Sequence, residues 1–168
     1  MKRALVCCLA FLLCPLALLF FGCARENDDF FLPFRGDFTA EIEGTMHEVP
    51  FAAKVIAADA DGARRVTLTF YAPREIAGTV LFFSGDEITL SAGEYQVVGG
   101  AAENFRPLFD LLSPAKQVKK VGRDDAGHTA VTGESSAYLF FSDGTPYEAK
   151  NGAAHITFVS FSRESAAP

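Results

Sequence analysis

Tryptophan is absent, cysteine is absent after position 23, and histidine is limited to His47, His128 and His155. With no downstream cysteine, the body of the chain has no disulfide, no thiolate zinc site and no thiol nucleophile. With no tryptophan it has no indole platform for a sugar. The three histidines are scattered, each on or beside an expected strand or turn, which fits ordinary surface roles. No G-x-S-x-G stretch marks a serine activated by a base. Asp59-Ala60-Asp61-Gly62 opens like a calcium loop but lacks the downstream bidentate glutamate, so it reads as a turn. Gly99-Gly100 lacks the lysine and the spacing of a phosphate loop. The reading is a non-enzymatic chain with no cofactor and no metal.

Positive charge is also scarce. Fifteen Lys and Arg stand against 21 Asp and Glu, a net charge of -6. No basic stripe neutralises phosphates, so nucleic acid is not an expected partner. Charge alone does not draw the chain to anionic lipid.

What is present begins with an export signal. Lys2 and Arg3 precede an apolar run, Ala4 to Phe21, that carries no charge. Gly22, Cys23 and a polar stretch from Arg25 to Asp29 follow. That order is the grammar of a signal peptide. Leu19-Phe20-Phe21-Gly22-Cys23 resembles the lipobox read by lipoprotein signal peptidase. Gly22 matches it, while Phe20 and Phe21 stand where the motif has Leu and a small residue. The resemblance implies lipidation at Cys23. The alternative is an uncleaved anchor helix, since the run approaches the ~20 residues of a membrane span. Either way the domain is expected outside the cytoplasm, tethered to a bacterial membrane at its N-terminus. The expected division is a signal peptide at 1–22, a lipidated N-terminus and linker at 23–35, and one β-rich domain at 36–164. About half of the residues are hydrophobic, enough for a core without disulfides. Phe30, Phe31 and Phe34 are unusual in a linker and read as a packed first segment.

From Gly36 the chain alternates. Phe38, Ala40 and Ile42 recur at period two between Thr39, Glu41 and Glu43, a half-buried strand. Val49 to Ala57 and Val66 to Tyr71 read as strands around the Asp61-Gly62 turn, and Pro73 stops the second. Short strands follow at Thr79–Phe83, Ile88–Leu90, Glu94–Val98, Lys116–Arg123, Thr129–Gly133, Ala137–Phe141, Pro146–Ala149 and Ala154–Ser162. Asn151-Gly152 is a strong hairpin signal. One segment differs. Phe105, Leu108, Phe109 and Leu112 share one face of a helix, with Asn104 placed to cap it and Pro114 to end it. The runs Val80–Phe83, Tyr138–Phe141 and Ile156–Phe161 are apolar on both faces, which predicts cover on both sides.

This gives a mainly β (α+β) fold: a curved antiparallel sheet or incomplete barrel with one main amphipathic helix packed on its concave face. The matching pieces are Val66 to Pro73, Val80 to Leu90 around Gly85-Asp86, the helix at Asn104 to Ser113, and Ala137 to Phe161 around Asp143-Gly144. Their order resembles the lipoprotein carriers of the Lol pathway and related anchored lipid-binding lipoproteins. That resemblance implies an apolar cavity for acyl chains. The candidate apolar lining is Phe51, Phe70, Phe82, Phe105, Leu108, Phe109, Leu112, Phe140 and Phe158, with the ordinary packed core as the competing reading. Expected partners are a membrane through the lipid anchor and a lipid or acyl-chain ligand. The alternative is an envelope protein bound at a sheet face or edge.

Overall fold

The computed structural model describes residues 30–114 and 118–163; the leader, Cys23 and its lipobox lie outside the described residues. A 3-10 turn at Leu32–Phe34 comes first. Six strands follow as a meander: β1 (Phe38–Met46), β2 (Val49–Ala60), β3 (Ala63–Ala72), β4 (Val80–Ser84), β5 (Glu87–Ala92) and β6 (Tyr95–Val98). A 3-10 segment, Gly100–Phe105, runs into helix α1 (Arg106–Leu112). A second meander completes the chain: β7 (Lys120–Arg123), β8 (Thr129–Thr132), β9 (Ser136–Phe140), β10 (Pro146–Asn151) and β11 (Ala154–Arg163).

All strands form one open antiparallel sheet in the order β6-β5-β4-β3-β2-β1-β11-β10-β9-β8-β7. Every neighbouring pair is also a sequence neighbour except β1–β11. That pairing alone joins the two meanders into one sheet.

Period-two patterning decides the faces. One row runs Ala40–Val55–Leu68–Leu81–Leu90–Val97 and another Phe38–Ala57–Val66–Phe83–Ile88. On the other meander Val131, Tyr138, Ala149 and Ile156 continue the same inner face. Most of these residues are buried. The outer face carries Thr39, Glu41, Lys54, Thr67 and Thr69.

Three bulges change what the period predicts. Between β1 and β11 the register steps from Glu41↔Ser160 to Ile42↔Phe158, which leaves Val159 unpaired. Phe158 and Phe161, three apart, therefore face inward together. Similar steps leave Tyr71 and Tyr147 without a direct partner.

Two expectations need correction. The outer sides of the doubly apolar runs are not covered by an element of the described chain. Phe82, Phe141 and Val159 remain exposed there, because aromatic and β-branched residues suit a pleated surface whether or not it is buried. The α-helix also starts later than its apolar spacing shows, at Arg106, behind a 3-10 segment that begins at Gly100. Gly99, with φ of 61°, turns the chain into the 3-10 segment, so Asn104 lies inside that turn and caps nothing. The turn His47-Glu48 has positive φ at both central residues without a glycine. The His47 N–H donating to the Ala153 carbonyl at 2.8 Å helps hold it.

Candidate functional site

The inner face is covered by two elements, and both are bolted down. The first is the 3-10/α1 segment, whose Leu108, Leu111 and Leu112 are wholly buried. Phe109 stacks on Phe83 of β4 at 5.0 Å between ring centroids. Phe105 meets Phe70, which in turn meets Phe51 edge-on at 5.7 Å. Arg106 Nη2 donates to the Asp86 carbonyl at 2.6 Å, tying the helix start to the β4–β5 turn. At the other side the Tyr138 hydroxyl donates to the Asp110 carbonyl at 3.2 Å. Asn151 Nδ2 donates to the Pro107 carbonyl at 2.9 Å. Burial pushes the Tyr138 phenol up to about 12, so it stays a donor at any working pH.

The second cover is the segment just before β1. Phe31 and Phe34 are buried against the β8–β11 half of the sheet. Phe34 lies among the rings of Phe38, Tyr138, Phe140, Phe158 and Phe161, with centroids 5.7–6.3 Å away. Arg64 clamps this segment. Its Nη2 donates to the Phe34 carbonyl at 2.8 Å, and its Nη1 donates to the Gly36 carbonyl at 2.7 Å and to Asp59 Oδ1 at 2.8 Å. The guanidinium also sits over the Phe38 ring. Its side chain is only 13% exposed, so these charge-assisted bonds work at reduced dielectric. Arg64→Met is expected to lower unfolding free energy by about 2 kcal/mol. Limited proteolysis should then cut near residues 31–36 well before global unfolding. Unchanged protease resistance would show that the clamp is not needed.

Of the expected lining residues, Phe51, Phe70, Phe105, Leu108, Phe109 and Leu112 lie together beneath and on the helix, while Phe140 and Phe158 lie under the Phe31–Phe34 segment. Phe82 is the exception. It points to the outer face at 36% exposure, and its neighbour Phe83 takes the inward place. In a run of two phenylalanines the sequence leaves the phase open, and the pairing with β3 fixes it. The reach of Arg64 and of the Tyr138 hydroxyl escaped sequence reading. A charged or hydroxyl-bearing residue in a strand gives no sign that it reaches across to a distant backbone.

The scattered histidines separate into two places. His47 and His155 both line a cleft of about 530 Å³ between the β1–β2 and β10–β11 turns, with Thr45, Glu48, Lys150 and Asn151. His155 Nε2 lies 3.2 Å from Glu148 Oε1. No group of three or more His, Cys, Asp or Glu among the described residues is arranged to hold a metal ion. No helix among them is long and apolar enough to cross a membrane.

His128 stands elsewhere, stacked on Tyr147 at 4.7 Å and edge-on to Phe141. Its Nδ1 donates to Asp124 Oδ2 at 2.8 Å and its N–H to Asp124 Oδ1 at 2.7 Å, closing the β7–β8 hairpin. The side-chain bond from His128 holds the Asp124 carboxyl below the usual carboxylate range. A lowered folded value means stabilisation that is complete above the unfolded value, about 3.9. It is lost as pH falls through the folded value. Asp124→Asn is therefore expected to flatten the acid limb of stability below about pH 4. Parallel acid limbs for wild type and variant in urea titrations would contradict this.

No protein-family model matches the chain, and no curated protein matches it. Solved structures do share the fold. An uncharacterized conserved protein from Thermus thermophilus superposes with a TM-score of 0.54 at 15% identity, covering 83% of this chain and 86% of that one. MucB superposes at 0.50 and 13% identity over 87% of this chain. The aligned part is 62% of MucB, so the chain spans less than two thirds of that protein. A LolA superfamily protein from Nitrosomonas europaea superposes more loosely, at 0.43 and 7% identity, over 83% of this chain and 91% of that one. At these identities the likeness to the first two is one of fold alone.

Proposed function

We propose that this chain is an exported lipoprotein, held to a bacterial membrane through acylated Cys23, whose non-catalytic domain binds lipid or another apolar ligand on its inner face. The observation that carries this is a mismatch of size. Eleven strands about 4.8 Å apart span roughly 48 Å. The six 3-10 and seven α residues that lie across them run only about 22 Å. The rest of the apolar face is closed by Phe31 and Phe34, side chains of the kind an acyl chain replaces. The sequence supports the anchor: Cys23 to Phe30 reach at most about 28 Å, which keeps the domain beside its membrane and disfavours free diffusion with cargo.

Native mass spectrometry of the domain, released from Cys23 and purified from cells, is expected to show a bound lipid mass. Apo protein alone, even after incubation with fatty acid, would sink the ligand reading. Mass spectrometry of the mature N-terminus tests the anchor separately: an unmodified Cys23 or an intact leader refutes it. A second reading, an envelope protein-interaction module, draws on a different feature, the uncharged edge strand β6, which no other described strand pairs on its outer side. A pull-down from membranes that recovers no reproducible protein counts against it.

A further inference from the structure

The two ends of the sheet are built differently. Edge β7 carries Lys120 and Arg123, with Lys119 just before it near Glu134. Charges of this kind protect an edge from pairing with another chain. Edge β6, Tyr95-Gln96-Val97-Val98, has no charge, no proline and no bulge, and all four residues are exposed, Tyr95 at 83% and Val98 at 58%. Gly99 N–H donates to the Ile88 carbonyl across the β5–β6 ladder. Strict alternation in an antiparallel ladder then turns the N–H and C=O of Tyr95 and Val97 toward β5 and those of Gln96 and Val98 outward. Those outward groups have no partner among the described residues.

We propose that β6 is a self-association edge, on which the β6 strand of a second copy of this chain pairs antiparallel about a two-fold axis at Gln96. The strand's own residues select this occupant. A two-fold axis at Gln96 makes it an outward hydrogen-bonding pair with itself, the only kind of site where both N–H···O bonds form at once. The same register sets Tyr95 of each copy opposite Val97 of the other, an aromatic–β-branched pair, twice over. Both residues lie on the inner face, since Val97 continues the Leu90–Leu81 row. No like charges meet within the strand. The result is one continuous sheet whose two apolar inner faces adjoin. This proposal stands independently of the ligand reading.

The register predicts a cross-link. Directly opposed residues of a hydrogen-bonded pair have Cα atoms about 5.5 Å apart, within disulfide range. The full chain carrying Gln96→Cys, oxidised in intact cells, is expected to give a covalent homodimer that the parent chain does not. In that background Val98→Pro removes an outward N–H while leaving the β5 ladder whole. Val98→Asp sets a carboxylate opposite Glu94 of the second copy at an exposed site. Each is expected to reduce the dimer about tenfold, equivalent to 1.4 kcal/mol. Three results would overturn the proposal: no dimer with Gln96→Cys; equal dimer from Val121→Cys on β7; or Gln96→Cys linking to a different protein.

Discussion

Phe34→Ala is expected to lower the unfolding free energy by about 3–5 kcal/mol, the range for emptying a buried aromatic site. In a domain of this size that is a drop in Tm on the order of 10 °C. Phe34 is 4% exposed and touches five other rings drawn from β1, β9 and β11. Those rings sit on strands paired in the sheet, so they cannot collapse far into the space left behind, and the cavity term should stay near its full value. The loss includes edge-to-face ring contacts, each about 0.5–1.5 kcal/mol beyond simple burial. Chemical denaturation of the wild type and variant measures it. A change under about 1 kcal/mol would mean that the segment before β1 is not packed in solution. The variant also bears on function. An empty apolar cavity stays dry and takes up small apolar solutes. A hydrophobic probe or short-chain fatty acid should therefore bind the variant more tightly than wild type and restore part of the lost stability.

The succession of strands and the alternation within them were legible because one residue in two is apolar from Phe38 onward, and because Asp61-Gly62 and Asn151-Gly152 are turns with a mechanism, whereas the β1–β11 pairing that joins the two meanders has no local signal. Leu108, Phe109 and Leu112 of the helix face were legible from spacing, while the wholly buried Leu111 fell outside that pattern. The rest was hidden for definite reasons. A bulge is a property of two strands at once, so the inward placing of both Phe158 and Phe161 cannot be read from β11 alone. His47-Glu48 makes a tight hairpin turn without the glycine that normally marks one. Arg64 looks like any charge beside a turn until the pairing of β2 and β3 brings it to the carbonyls of Phe34 and Gly36. The doubly apolar runs were read as needing cover on both faces. Instead Phe141 finds local partners in His128 and Tyr147, and Val159 is pushed out of register. The candidate site suffered the same way. Its aromatic lining was visible as composition, and Phe31 and Phe34 were legible as a packed first segment, but nothing local to them shows which strands they pack on, Phe38 of β1, Tyr138 and Phe140 of β9, and Phe158 and Phe161 of β11.

Gly44→Ala is expected to be the most damaging methyl group that can be added to this sheet. Gly44 continues the inner row of β1 after Phe38, Ala40 and Ile42, between Phe51 on β2 and Ile156 on β11. A Cβ built there runs into the carbonyl oxygen of His155 and lies 2.9 Å from Ile156 Cα. Both obstacles are backbone, so no rotamer change relieves them, and the strands themselves must separate. The strands in question are β1 and β11, the one pairing that joins the two meanders, and the helix and the Phe34 cluster both reach across that junction. Separation there is not absorbed locally, as it would be at a hairpin end. The expected loss is at least 3 kcal/mol, the upper end of the overpacking range, and Gly44→Val should leave little folded protein. Gly122→Ala is the matched control, because its Cβ meets nothing within 4 Å and its φ is not positive. It should change stability by less than about 0.5 kcal/mol. Equal urea midpoints for the two alanine variants would mean that β1 and β11 do not approach this closely, and would remove the junction on which the single continuous sheet depends.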